Sequence, residues 1–436
     1  MKYSVITFGC RVNQADSLAI EGELLARGGI SASPEDADLL IVNTCSVTST
    51  ADQGARQTIR RLVRDNPDVK VVVTGCYATR RPDEIRELPN VAHVVRNQDK
   101  DSLVADLLAD NGRFVDGDGP CGTTLTPGIA GRTAFTLRVQ TGCDERCSYC
   151  IIPKTRGAGR SRPLVEVIRQ IEHAVAAGYK EIAITGVHLG SYGRDLEDAD
   201  MRRSARRSEL GSASRRGVAH AEARVGDHSQ GTTLESLVRV LATWPDDVLF
   251  RISSLEPMDC TPAIVDLVAG SPRLAPHFHL PLQHGSDDVL RAMRRPYTAG
   301  QYRDLIDRIA RLMPHASIGT DLIVGFPGET EAQFETTRSL VSDLPLSHVH
   351  VFPYSDRPGT EASRLRDKVD GVAIRRRGAS LREVGARLAR DFRDRQIGTS
   401  RRALTVDDGW SAVTDNYVKV RLDAQHRRNE WITVTL

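Results

Sequence analysis

The stretch "TGCDERCSYC", residues 141–150, places Cys143, Cys147 and Cys150 within eight residues, with three residues in the first gap and two in the second. A tetrahedral zinc ion or an iron–sulfur cluster normally takes four protein ligands. No fourth cysteine follows at metal spacing, and the next histidine, His173, falls in a helix-type pattern. Structural zinc is the poorer fit to such a set. An iron–sulfur cluster held by three thiolates leaves one iron open to a substrate or cofactor.

Working outward, the stretch follows the strand-type run "FTLRVQ" (135–140), and five more such runs follow: "EIAIT", "VLFRIS", "HFHLPL", "IGTDLIVGF" and "SHVHVFP". Helical patterns separate them, among them 164–177, 302–312 and 331–344. Six βα units of this kind predict an α/β fold with an open or partial parallel barrel, its chemistry at the C-terminal strand ends. Those ends carry "TGCDERCSYC", "TGVHLGSYG", "SSLEP", "LQHGSD", "GFPGET" and "PYSDRPGT".

Upstream, one pattern occurs three times: "YSVITFGC", "DLLIVNTC" and "VKVVVTGC" end at Cys10, Cys45 and Cys76, with amphipathic helical stretches at 13–27 and 50–64 between them. The pattern predicts a βαβαβ parallel sheet, and parallel strands carry their C-terminal ends to one edge. The three cysteines are therefore expected to meet there.

Eight cysteines in 436 residues, six of them patterned, are too sparse for a secreted disulfide scaffold and point to metal or redox chemistry. Cys121 and Cys260 have no partners by spacing. No run approaches about 18 uninterrupted apolar residues, and the opening "MKYSVITFGC" does not read as a signal peptide, so a cytoplasmic protein without membrane association is expected. The net charge is only +2, yet residues 375–436 hold 14 Lys and Arg against 8 Asp and Glu. That excess sits on an alternating strand pattern ("ALTVDDGWSAVTDNYVKVRL", "NEWITVTL") of the kind found in small antiparallel barrels.

These patterns divide the chain into an N-terminal three-cysteine domain (1–115), a Gly- and Pro-rich linker (116–131), the partial barrel (132–375) and a connecting helix with a short barrel (376–436). Residues 198–231, rich in Ser, Ala, Gly and Arg and poor in large apolar side chains, are expected to form a disordered insertion.

CxxxCxxC, with Tyr149 directly before Cys150 at the end of the first strand of a six-unit array, resembles the radical S-adenosylmethionine enzymes. The resemblance implies that the amino and carboxylate groups of the methionine moiety fill the open iron. "GCRVNQADS" (9–17), "NTCSVT" (43–48), "VVTGCYA" (72–78), "GCDERCSYCIIPKTRG" (142–157), "RISSLEP" (251–257), "HLPLQHGSD" (279–287), "DLIVGFPGET" (321–330) and "HVFPYSDRPGT" (350–360) together resemble the methylthiotransferases. That family joins a three-cysteine domain to a radical domain and an RNA-binding TRAM barrel. "GCRVNQ", "RISSLEP" and "TDNYVKV" are similar to the branch acting on threonylcarbamoyladenosine in tRNA; His284 stands where serine is frequent.

The resemblance implies one 4Fe-4S cluster on Cys143, Cys147 and Cys150 and a second, sulfur-delivering cluster on Cys10, Cys45 and Cys76. It further implies S-adenosylmethionine as cofactor, the tRNA anticodon loop as partner, a reducing electron-donor protein and a sulfur source. Gly186, Ser253, Ser254 and Gln283 join Tyr149 as candidate cofactor or base contacts at the mouth. Asp321 and Glu329 flank "LIVGFPG" as helix caps or ligand contacts, while His277 and His279 alternate on one strand with a core or supporting role expected.

Overall fold

The computed structural model describes residues 1–46, 48–109, 133–196 and 232–436. The expected linker at 116–131, the expected insertion at 198–231 and Cys121 lie outside the described residues. The chain separates into two compact units: residues 1–109 with Thr141–Glu145 and Ile151–Ala158 form the first, and residues 133–140, Arg146–Cys150 and the described residues from Gly159 onward form the second.

The first unit is built on a parallel sheet of five strands, β1 (Lys2–Thr7), β2 (Ile30–Ser31), β3 (Leu39–Thr44), β4 (Lys70–Gly75) and β5 (Val91–Val95), in the order β2-β1-β3-β4-β5. Its helices are α1 (Arg11–Ala26), α2 (Ser49–Asp65), α3 (Cys76–Arg80), α4 (Pro82–Arg86), α5 (Leu103–Ala109) and α6 (Ile152–Arg156). The central strand "LLIVNT" is buried along its whole length because both faces are covered. Ala55, Ile59 and Leu62 of α2 pack with Leu40 and Val42 on one face, and Ile20 and Leu24 of α1 with Leu39 and Ile41 on the other. The expected βαβαβ core is present; β2 and β5 extend it beyond the three strands read from the sequence.

In the second unit the six expected strands are β6 (Phe135–Arg138), β7 (Glu181–Thr185), β8 (Leu249–Ile252), β9 (His277–His279), β10 (Ser317–Val324) and β11 (His348–Pro353). They form two parallel three-stranded sheets, β6-β7-β8 and β9-β10-β11, joined through isolated parallel bridges between Phe250 and Leu274 and between Ser254 and His279. The array is thus six strands in sequence order, as the βα repeats predict. Helices α7 (Leu164–Ala176), α8 (Leu234–Ala242), α9 (Pro262–Gly270), α10 (Asp287–Ala292), α11 (Ala299–Leu312) and α12 (Glu331–Asp343) alternate with the strands. Capping boxes at Thr233, Thr298 and Thr330 open α8, α11 and α12, satisfying backbone N–H groups that a helix start leaves over.

A long helix, α13 (Gly371–Asp394), follows β11 and buries Arg377, Gly378, Leu381, Gly385, Leu388 and Phe392, a helical spacing that presents one stripe to the barrel wall. Gly385 lies against Val349, where an added Cβ would stand 3.1 Å from that side chain. The chain ends in an antiparallel sheet of β12 (Ser400–Val406), β13 (Ser411–Thr414), β14 (Lys419–Arg421) and β15 (Trp431–Thr435), ordered β14-β13-β12-β15. It docks on the barrel through Arg251, whose Nη1 donates to the Asp415 carbonyl at 3.0 Å and whose guanidinium lies 4.7 Å from the Tyr417 ring centre. Asn416 adds donation to the His315 carbonyl at 2.8 Å.

Candidate functional site

In the first unit Cys10 stands directly before α1 just past β1, Cys45 follows β3, and Cys76 opens α3 after β4. Because β1 pairs with β3 and β3 with β4, all in parallel, the three stand at one edge on adjacent strands. Gly9, at φ +94°, lets the chain pass so close to Cys45 that an added Cβ would sit 2.7 Å from its Sγ. Gly75, at φ +100°, likewise meets the Thr44 backbone before Cys76.

Beneath this edge lies a buried polar network. Asp16 pairs with Lys100 at 2.9 Å and with Arg156 at 3.1 Å, all three side chains being at most 2% exposed. Lys100 also donates to Asn43 Oδ1 at 3.1 Å, and Arg156 also bonds Asn13. Asn97 Nδ2 donates to the Thr155 carbonyl at 2.9 Å and approaches Cys76 Sγ at 3.6 Å. Burial alone would lower the Arg156 guanidinium, but Asp16, then Cys76 and Cys10, more than offset it and hold it above its ordinary range. Burial pulls Lys100 below its ordinary value against the pull of Asp16.

Among the described residues, two cations against the Asp16 carboxylate leave a positive surplus that attracts anionic groups at Cys76 and Cys10, and a buried charge without a counter-charge is costly. A 4Fe-4S core in its dication state on three thiolates carries one net negative charge, so the donor set and its surroundings fit the group the resemblance implies.

The other three cysteines lie on a loop whose base is clamped: Cys143 N–H donates to the Gly157 carbonyl at 3.0 Å, and Gly142, at φ +73°, passes so near the Ala158 carbonyl that a Cβ would reach 1.8 Å. Within the second unit Cys150 N–H donates to the Cys147 carbonyl at 3.1 Å, and Ser148 is bonded to the Met293 and Ala292 carbonyls. Arg295, 2% exposed at its side chain, donates to Cys147 Sγ at 3.2 Å, pairs with Glu256 and bonds the Tyr297 hydroxyl at 3.1 Å. Tyr149 packs against the cluster of Val289, Met293, Phe326 and Ala362. Burial holds its phenol well above the ordinary range, with Arg295 pulling the other way. A guanidinium bonded to a cysteine sulfur suits a site that must carry thiolates.

At the barrel mouth, Gly186 leaves room for Gln140, whose Oε1 would meet an added Cβ at 3.1 Å and accepts from the Val187 and His188 N–H groups at 3.0 and 2.9 Å. Ser253 is buried, and its hydroxyl has no hydrogen-bond partner among the described residues, an orphan that a bound ligand would satisfy. Ser254 is exposed. Gln283 holds a left-handed φ of +67°, fixed by backbone bonds to Asp321 and Ile323. Such strain in a non-glycine residue is kept where the surroundings impose it.

Asp321 accepts from His279 at 3.0 Å and His350 at 3.2 Å, and the ligand atoms of the three lie within 4.8 Å of one another. Burial opposes ionisation of Asp321, and the two imidazoles overcome it, holding the carboxyl below its usual range. His277 is buried against Tyr417, 4.8 Å between rings. The helix after Glu329 is capped by Thr330, and Glu329 itself is buried, bonded to Gly325 N–H, His284 and Arg377. Cys260 is buried, its thiol pushed up to about 12 by burial and by Asp259.

Sequence reasoning alone leaves out Asp16, Lys100, Arg156, Glu256 and Arg295. Asp16, Arg156 and Glu256 do stand inside the runs "GCRVNQADS", "GCDERCSYCIIPKTRG" and "RISSLEP", whereas Lys100 and Arg295 lie outside all of them.

The six-strand parallel array and the three-cysteine loop at the end of its first strand define a radical S-adenosylmethionine protein, and the model described as the Radical SAM superfamily matches residues 137–341. The model described as uncharacterized protein family UPF0004 matches residues 2–96. The chain is 35% identical over 396 residues to the threonylcarbamoyladenosine tRNA methylthiotransferase MtaB of Bacillus subtilis (strain 168), covering 88% of this chain and 80% of that protein. It is 32% identical to the MtaB of Aquifex aeolicus (strain VF5), with 100% of both chains covered. The chain belongs to the radical S-adenosylmethionine methylthiotransferases, a family of enzymes, as the motifs imply.

It is also 34% identical to the tRNA-2-methylthio-N(6)-dimethylallyladenosine synthase of Sorangium cellulosum (strain So ce56), covering 92% of this chain and 81% of that protein. Among solved structures, the radical S-adenosylmethionine methyltransferase TsrM from Kitasatospora setae is similar in fold, with a TM-score of 0.54 and 16% identity over 83% of this chain and 76% of that one. No helix among the described residues is long and apolar enough to cross a membrane.

Proposed function

We infer that the protein inserts a methylthio group at carbon 2 of the adenine ring of threonylcarbamoyladenosine, next to the anticodon of tRNA. Cys143, Cys147 and Cys150 hold one 4Fe-4S cluster, and Cys10, Cys45 and Cys76 hold the other. When bound, these groups and S-adenosylmethionine supply the radical and the methylated sulfur, with electrons and sulfur coming from partner proteins or small donors. The observation that carries the reading is the convergence of three strand-end cysteines over a buried positive surplus, in a chain that also holds CxxxCxxC.

The chain's own residues then divide the work. Arg295 keeps a donor on Cys147, and Gly186 keeps the β7 end open to close approach. The Ser253 hydroxyl and the Gln283 amide are the polar groups offered to cofactor or base at the mouth. An adenosine in a single-stranded loop can be splayed into such a mouth without opening a duplex, and the Arg- and Lys-rich C-terminal segment supplies phosphate contacts. The names of the Bacillus and Aquifex relatives support the threonylcarbamoyl substrate.

Mass spectrometry of tRNA nucleosides from a deletion strain tests it. Loss of the methylthio form of threonylcarbamoyladenosine, restored by the gene, is expected. Loss of the methylthio form of dimethylallyladenosine instead would move the enzyme to the activity named for the Sorangium relative.

A further inference from the structure

We propose that Arg156 and Lys100, balanced by Asp16, form a fixed cationic seat that sets the reduction potential of the cluster on Cys10, Cys45 and Cys76. The inference rests on the cluster assignment just made and deepens it. Arg156 stands six residues after Cys150 in sequence, yet it belongs to the first compact unit and reaches Asn13 and Asp16 of α1. Lys100 comes from the turn after β5 and reaches the same Asp16, 84 residues away. Both side chains are 2% exposed, and among the described residues the carboxylate each pairs with is the shared Asp16.

A buried charge interacts over several ångströms with little screening. An iron–sulfur cluster gains one negative charge on reduction, so a nearby positive surplus favours the reduced form and raises the potential; net charge and hydrogen bonds to sulfur are among the levers that tune it. Arg156 and Asn97 supply both levers, as Asn97 Nδ2 approaches Cys76 Sγ at 3.6 Å and is itself anchored by the Thr155 carbonyl. If the triad served packing alone, removing any member would loosen the unit and move the potential without regard to the sign of the lost charge. A tuning role makes the sign decisive.

The test uses the full chain with Cys143, Cys147 and Cys150 changed to Ala, reconstituted anaerobically so that one cluster remains, and titrated with dithionite under EPR observation. Arg156→Gln and Lys100→Met are expected to lower the midpoint, so that at the parent's midpoint the reduced-to-oxidised ratio falls about tenfold, 59 mV for a one-electron couple. Asp16→Asn is expected to raise it, and Arg156→Lys to hold it near the parent. Should Arg156→Gln lose its cluster, the Asp16→Asn and Arg156→Lys midpoints still decide. Unchanged midpoints, or a fall in Asp16→Asn as in the other two, overturn the seat while leaving the cluster assignment intact. A parent that binds no iron overturns that assignment and the inference with it.

Discussion

Gly9 shows how narrow the tolerance is at single positions. Its φ of +94° lies in the left-handed region, and a Cβ there would stand 2.6 Å from the Cys45 Cβ. Gly9→Ala therefore combines a backbone cost of about 1–2 kcal/mol with a forced shift of Cys45, a ligand in the proposed function. On the two-cluster proposal, iron per chain after reconstitution should fall from about eight toward about four, the content of a single remaining 4Fe-4S cluster. At the mouth, the hydrogen bond to Asp321 raises the His350 imidazole above its ordinary value, outweighing burial. Protonation there favours the folded state, so its contribution is full below the unfolded value of about 6.5 and is lost as pH rises through the raised folded value. Asp321→Asn should bring the His350 midpoint, followed by NMR, back down toward that ordinary value; an unmoved midpoint would discount the pair. The six patterned cysteines could be read from sequence because spacing and strand ends announce them. The Asp16–Lys100–Arg156 triad could not, since its members lie 84 and 140 residues apart and no periodicity links them.

The barrel strands were legible because each is a short apolar run closed by a loop rich in Gly, Ser or Pro, and runs of that kind fit only a sheet covered on both faces. β2 and β5 escaped for the opposite reason. β2 has two exposed residues, and β5, "VAHVV", is only partly buried at the sheet edge, so neither presents a clear pattern. α13 carries a plain helical stripe, and its weight can be measured: Leu381 is fully buried on the face toward the barrel. Leu381→Ala should cost about 2–5 kcal/mol in urea unfolding, with the slope unchanged. A cost near zero would mean that the helix is an appendage rather than part of the wall.

Over the whole molecule, the segment 198–231 lies outside the described residues and is expected to be dispensable; on either side of it, Gly193 passes so near the Thr232 carbonyl that a Cβ would fall 1.7 Å away. Replacing 198–231 by a short Gly-Ser linker should leave iron content and Tm nearly unchanged; a large drop in either would show an ordered element there. The C-terminal sheet belongs to the same compact unit as the barrel. It reaches the barrel through Tyr417, under the Arg251 guanidinium and tilted against His277, through Asn416 on His315, and through Arg402 and Trp431 on Asp247. Such a sheet cannot swing on a tether. It acts as a ruler: anything gripped there would be held at a set span from the barrel mouth, its reach fixed by architecture rather than found by search.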